Sequence, residues 1–139
     1  MQKLFIRQTL NTPEINFSPA ENIFLIRGIS SPEDVRALYY PVIEWIKKFI
    51  DNLLDGEYKN FNSETPLKFH IDLEYFNSSS AKFFYDIFCE LKRLSSADVP
   101  VVVEWYYDEE DTDLKEAGID ISLLAEMEFT YIPKTRNQG

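Results

Sequence analysis

From Leu67 to Tyr75 the side chains alternate, with Leu67, Phe69, Ile71, Leu73 and Tyr75 apolar and Lys68, His70, Asp72 and Glu74 polar between them. A period of two belongs to a strand with one face buried, and it predicts a strand ending near Phe76. The spacing then changes. Phe84, Ile87, Phe88, Leu91 and Leu94 recur at three and four residues, the stripe of an amphipathic helix. Asn77, Ser78, Ser79 and Ser80 fill the gap, and Asn and Ser are favoured at helix N-caps because their side chains accept hydrogen bonds from unpaired backbone amides.

The same patterning reads the rest of the chain. Lys3 to Thr9 is a candidate first strand, Glu14 to Phe17 a second, and Ile23 to Ile26 a third that stops at Gly28. Ser31-Pro32-Glu33-Asp34 has the form of a helix start, with Ser31 as N-cap and Pro32 at the first helical position. Val35, Leu38, Tyr39, Val42, Ile46, Phe49, Ile50 and Leu53 extend it as one long stripe that Asp55-Gly56 ends. Pro41 lies inside, which predicts a kink near Ala37 to Pro41 or two abutting helices. A polar loop follows from Glu57 to Pro66. Val101, Val103, Trp105 and Tyr107 mark a Val-rich strand well inside the sheet, and the helix before it makes a parallel, right-handed βαβ unit. Leu114 to Gly118 reads as a short helix with Gly118 at its C-cap, Met127 to Ile132 as a last strand, and Pro133 to Gly139 as a loose tail. The element order predicts one α/β domain over residues 1–139: a single mixed sheet with helices mainly on one face.

Composition narrows the function. With 45% apolar and 15% aromatic residues in 139, the chain can bury a proper core. A net charge of -10, from 24 acidic and 14 basic residues, opposes binding to nucleic acid or anionic membrane and suits a basic protein partner. The first residues show no signal-peptide pattern, and no run of about 18 apolar residues exists to insert into a membrane, so a soluble, cytoplasmic protein is expected. One cysteine, Cys89, and one histidine, His70, exclude an intrachain disulfide and a Cys/His zinc cage. Four scattered glycines make neither a Walker loop nor a dinucleotide fingerprint, and no cofactor is expected.

Three clusters could carry chemistry. His70, Asp72 and Glu74 share one strand face, with Glu104 able to lie beside them, as in a small metal-dependent hydrolase; the alternative is the polar side of a sheet. A Ser-His-Asp arrangement through Ser78 fails, because His70 is eight residues back on an extended segment, roughly 25 Å away. Cys89 is expected to be a buried, inert thiol. Asp108 to Asp113 is either a weak cation loop or a solvated helix start facing a partner. The serines at the corner either only cap the helix or include a phosphorylation site, since a phosphate at a helix N-terminus is held by free amides and the helix dipole.

Several blocks, in order along nearly the whole chain, bear on that choice: Thr12-Pro13, Gly28-Ile29-Ser30-Ser31-Pro32-Glu33, Tyr39-Tyr40-Pro41-Val42-Ile43-Glu44-Trp45, Glu74-Tyr75-Phe76-Asn77-Ser78-Ser79-Ser80-Ala81-Lys82, and Trp105-Tyr106-Tyr107-Asp108-Glu109-Glu110-Asp111. Together they resemble the SiaC family of bacterial regulatory phosphoproteins. The resemblance implies a STAS-like (SpoIIAA-like) fold and a non-enzymatic partner switch: a serine or threonine at a strand-to-helix corner phosphorylated by a GHKL-type kinase and dephosphorylated by a PPM-type phosphatase. It implies that the unphosphorylated form binds and activates an effector, a diguanylate cyclase, raising cyclic di-GMP and promoting biofilm formation. The family's acceptor after Asn is usually Thr; here it is Ser78, with Ser79 the alternative. Asn77, Ser79 and Ser80 would shape the cap, and Lys82 would lie near the phosphate. A constitutive protein-interaction domain is the remaining alternative.

Overall fold

Six apolar-patterned segments pair edge to edge in chain order: β1 (Leu4–Ile6), β2 (Glu14–Ser18), β3 (Ile23–Ser30), β4 (Leu67–Phe76), β5 (Val101–Asp108) and β6 (Phe129–Lys134). The computed structural model describes residues 2–135. The β1–β2 and β2–β3 pairs are antiparallel; β3 through β6 are parallel to one another, joined by helices α1 (Val35–Leu54), α2 (Ser78–Ser96) and α3 (Thr112–Ala125). The expected βαβ unit is the middle one of three.

Register fixes which side chains face the helices. Phe17 lies opposite Phe24, Ile26 opposite Ile71, Ile71 opposite Trp105 and Val103 opposite Phe129, so large apolar residues line up in two neighbouring rows across the sheet from β2 to β6. All of them are buried, and the helices close over that face with Tyr39, Phe49, Phe84 and Phe88 among the enclosed side chains. The opposite face, carrying His70, Asp72, Glu104 and Tyr106, has no helix over it among the described residues.

Several boundaries differ from the sequence reading, each for a local reason. α1 is capped by Asp34, not Ser31: the Asp34 side chain accepts from the Ala37 amide at 3.1 Å, and the helix begins at Val35. It runs unbroken past Pro41. The carbonyl that Pro41 cannot serve belongs to exposed Ala37, where water can replace the missing donor. β3 does not stop at Gly28 but passes through it at φ +120°, with a register shift between Gly28 and Ile29. Gly118 is no C-cap. It sits mid-helix against Trp105, where a Cβ would come within 2.6 Å of the ring, and α3 ends instead at Glu126 in the left-handed region, φ 55°. β1 is shorter than expected. β6 begins two residues later than Met127 and takes in Pro133 and Lys134, so the expected tail is a strand at its start; its residues 136–139 lie outside the described residues.

Candidate functional site

The corner between β4 and α2 is built by a bulge and a cap. Leu73 pairs with Gly28 and Tyr75 with Ile29, so Glu74 is the extra residue, and the alternation reverses after it. Tyr75, which the pattern placed on the buried row, is 55% exposed, and Phe76 turns inward against Phe84 and Trp105. Asn77 then caps α2: its Oδ1 accepts from the Ser80 amide at 2.9 Å and from the Ser79 hydroxyl at 3.1 Å. Its own amide donates to the Ser30 carbonyl at the end of β3, 3.0 Å away.

The three serines therefore have three different fates. Ser78 and Ser79 are exposed in the first turn of α2, while Ser80 is fully buried. The Ser80 hydroxyl donates to the Ser30 carbonyl at 3.1 Å and lies 2.8 Å from Ser30 Oγ, which is 2.6 Å from the Tyr39 hydroxyl. Ser30 and Tyr39 are themselves fully buried. This hydroxyl chain under the corner was not read from the sequence. The only cue was a Tyr on the inner stripe of α1, whose phenol must find a partner when buried. Burial pushes that phenol's pKa up, the Ser30 hydrogen bond offsetting only part of the shift.

Ser79's hydroxyl is tied into the cap; Ser78's makes no such bond among the described residues, and the first-turn amides of Ser78 and Ser79 have no intrahelical acceptor. Lys82 is one helical turn from Ser78, on the same face. Its ammonium is 3.3 Å from Asp86 and 5.1 Å from the centre of the Phe83 ring. Ser78 also lines a groove of about 430 Å³ between the starts of α2 and α3, with Tyr75, Leu114, Asp111 and Asp113 among its other walls.

The other candidates are placed as follows. His70 Nδ1 is 3.2 Å from the Tyr106 hydroxyl and 3.7 Å from Glu104, and Lys134 holds both oxygens of Asp72 at 2.9 and 3.0 Å. Glu74, the bulge residue, is exposed and lines a cavity together with Asp72 and Lys134. Among the described residues no three His, Cys, Asp or Glu side chains are grouped to hold a metal ion. In the acidic run, Asp111 caps α3 through the Leu114 amide at 3.0 Å, and Asp108 accepts from the Glu110 amide at 2.9 Å. Cys89 is half-buried beside Tyr85, not enclosed as expected, because it flanks the inner stripe of α2. No helix among the described residues is long and apolar enough to cross a membrane.

Comparison with known proteins gives one answer at three levels. Residues 6–134 match the model of the SiaC family regulatory phosphoproteins. An uncharacterized protein of Pseudomonas aeruginosa (strain UCBPP-PA14) is 32% identical over 108 residues, 78% of each chain. The crystal structure of apo-SiaC from Pseudomonas aeruginosa superposes with a TM-score of 0.79 at 27% identity, over 95% of this chain and 99% of that one. A chain from the crystal structure of diguanylate cyclase SiaD in complex with its activator SiaC, from the same organism, gives 0.80 at 27% identity, over 94% and 99%. The corner motif, the mixed sheet with three helices and these matches lead to one conclusion: the chain belongs to the SiaC family of regulatory phosphoproteins.

Proposed function

We propose that this protein is a non-enzymatic partner switch in which Ser78 is the reversible phosphoacceptor and the unphosphorylated form binds and activates a diguanylate cyclase. The observation that carries this reading is the division of labour among the three serines: Ser80 is locked inside, Ser79 serves the cap, and Ser78 is exposed at a positive helix end with its hydroxyl uncommitted. A phosphate there adds about -1.5 to -2 charges that two free amides and the helix dipole can hold, and Lys82 can leave Asp86 to reach it. The effector follows from SiaC, which is the activator in the SiaD complex. A GHKL-type kinase and a PPM-type phosphatase complete the cycle, the protein works in the cytoplasm, and the switch is of the STAS-like kind, with Ser79 as the alternative acceptor.

Intact mass after incubation with a GHKL-type kinase and ATP tests the site: one phosphate is expected on the wild type and none on Ser78→Ala, whereas a phosphate that persists on Ser78→Ala and is lost from Ser79→Ala moves the acceptor. The output is tested with SiaD of Pseudomonas aeruginosa. Unphosphorylated protein should bind it and raise its turnover, and Ser78→Asp should do neither.

A further inference from the structure

β6 is an edge strand: it pairs with β5 on one side and, among the described residues, with no strand on the other. The Lys134 carbonyl accepts from the Glu109 amide, so the backbone groups of Thr130, Ile132 and Lys134 point to β5 and those of Phe129, Tyr131 and Pro133 point outward. The opposite edge, β1, is only three residues long. Above the β6 edge lies α3, packed on Trp105 of β5 and, through Ser122, on Tyr131 of β6. Ala117 is on the side of α3 toward α2, and Ile119 and Leu123 follow on the side of Ser122, where Leu123 is 71% exposed. We propose that this edge is a self-association surface whose occupant is a second copy of this chain, related by a two-fold axis at Tyr131 with the two β6 strands antiparallel. The proposal is independent of the phosphoswitch.

Register, helix spacing and charge select that occupant. In the pairing centred on Tyr131, this residue exchanges both backbone bonds with its copy, and each Phe129 amide donates to the other copy's Pro133 carbonyl. A proline on an edge ordinarily guards against pairing, but here it withholds only the donor facing the Phe129 carbonyl, which water can serve. Each α3 straddles β5 and β6, so strands about 4.8 Å apart bring the two α3 helices to about 10 Å, the packing distance of helices. Leu123 and Ile119 then meet apolar neighbours across the axis. The same register lays Glu128, one residue before β6, opposite Lys134 of the second copy, once on each side of the axis. Lys134 also holds Asp72, and an ammonium has donors for both. The net charge of -10 on each copy works against the association, which makes it weak, with a Kd on the order of 10–100 μM at about 0.15 M salt.

Sedimentation velocity from about 1 to 300 μM tests the edge. The wild type is expected to pass from monomer to dimer over this range. Glu128→Lys and Lys134→Glu each set like charges opposite one another and should stay monomeric alone. Their equimolar mixture restores opposite charges at both places, carries the same total charge as two wild-type copies, and should dimerise again. Leu123→Ser should weaken the dimer about ten-fold. Glu64→Lys, which changes the net charge as Glu128→Lys does but lies on the loop before β4, should dimerise at least as well as the wild type. All the substituted residues are exposed, and unchanged circular dichroism shows that each variant is folded. A wild type that stays monomeric at the highest concentration overturns the proposal. So does self-association of either edge-charge variant or of Leu123→Ser at the wild-type strength, and so does a mixture that stays monomeric.

Discussion

Ser30, Tyr39 and Ser80 form a chain of hydroxyls with no exposure to solvent, spanning the end of β3, the first turns of α1 and the start of α2. Removing the phenol leaves Ser30 Oγ with Ser80 as its partner, so Tyr39→Phe should cost only about 1 kcal/mol of stability, read from the denaturant midpoint. The pH dependence gives a sharper test. Because burial raises the phenol's pKa in the fold, Tyr39 contributes no pH dependence below its unfolded value, about 10. As pH rises through that value the unfolded chain releases the proton while the folded one keeps it, and stability falls. The difference between wild type and Tyr39→Phe should therefore shrink between pH 9 and about 11, and a constant difference would mean the phenol is not shielded. Of the residues that make up the corner, the sequence showed the cap and the three hydroxyls. It could not separate them, because which serine is enclosed depends on Ser30, fifty positions away.

At the level of elements, patterning located every strand and α-helix but misjudged two breaker residues, Gly28 and Gly118. Gly118 looked like a helix end because glycine is common there, yet it is needed for the close approach of Trp105, whose indole Nε1 donates to the Leu114 carbonyl at 3.1 Å. Gly118→Ala gains helix propensity of about 1 kcal/mol but forces the ring away, a cost of about 1–3 kcal/mol. A net loss on the order of 1 kcal/mol, with a changed near-ultraviolet signal from Trp105, is expected; a stabilised variant would mean that the ring yields freely. Pro41 predicts a kink or two abutting helices because a proline inside a helix removes a hydrogen bond; the helix is continuous, and the sequence does not say that the orphaned carbonyl faces water. Pro41→Ala restores that bond at an exposed site and gives up some restriction of the unfolded chain, so a gain of about 1–2 kcal/mol is expected from thermal unfolding. The bulge at Glu74 was hidden for a different reason. A strict period of two has no place for an extra residue, and only the pairing with β3 reveals it.

For the molecule as a whole, the ten unbalanced negative charges act on stability and association together. Some acids are matched: Glu14 with Arg27 at 2.9 Å, Asp72 with Lys134 at 2.9 Å, Asp51 and Glu90 with Arg93 at 2.6 and 2.9 Å. Salt weakens these pairs, which lowers stability, and screens the excess, which raises it. Exposed pairs contribute about 0–1 kcal/mol each, while a compact chain of this net charge repels itself at every separation within a Debye length, about 10 Å at 0.1 M salt and 3 Å at 1 M. The excess should win. Raising sodium chloride from 0.02 to about 0.5 M is expected to stabilise the protein by on the order of 1 kcal/mol, or about 3–5 °C in the unfolding midpoint. Glu64→Lys, on the exposed loop before β4, moves the net charge two units up from -10 and leaves the Glu64 amide free to keep its bond to Asn62. Its midpoint should be higher than the wild type's at low salt and the two should converge at high salt. If the wild type instead loses stability as salt is added, the matched pairs contribute more than their exposure implies, and net charge is not what limits the fold.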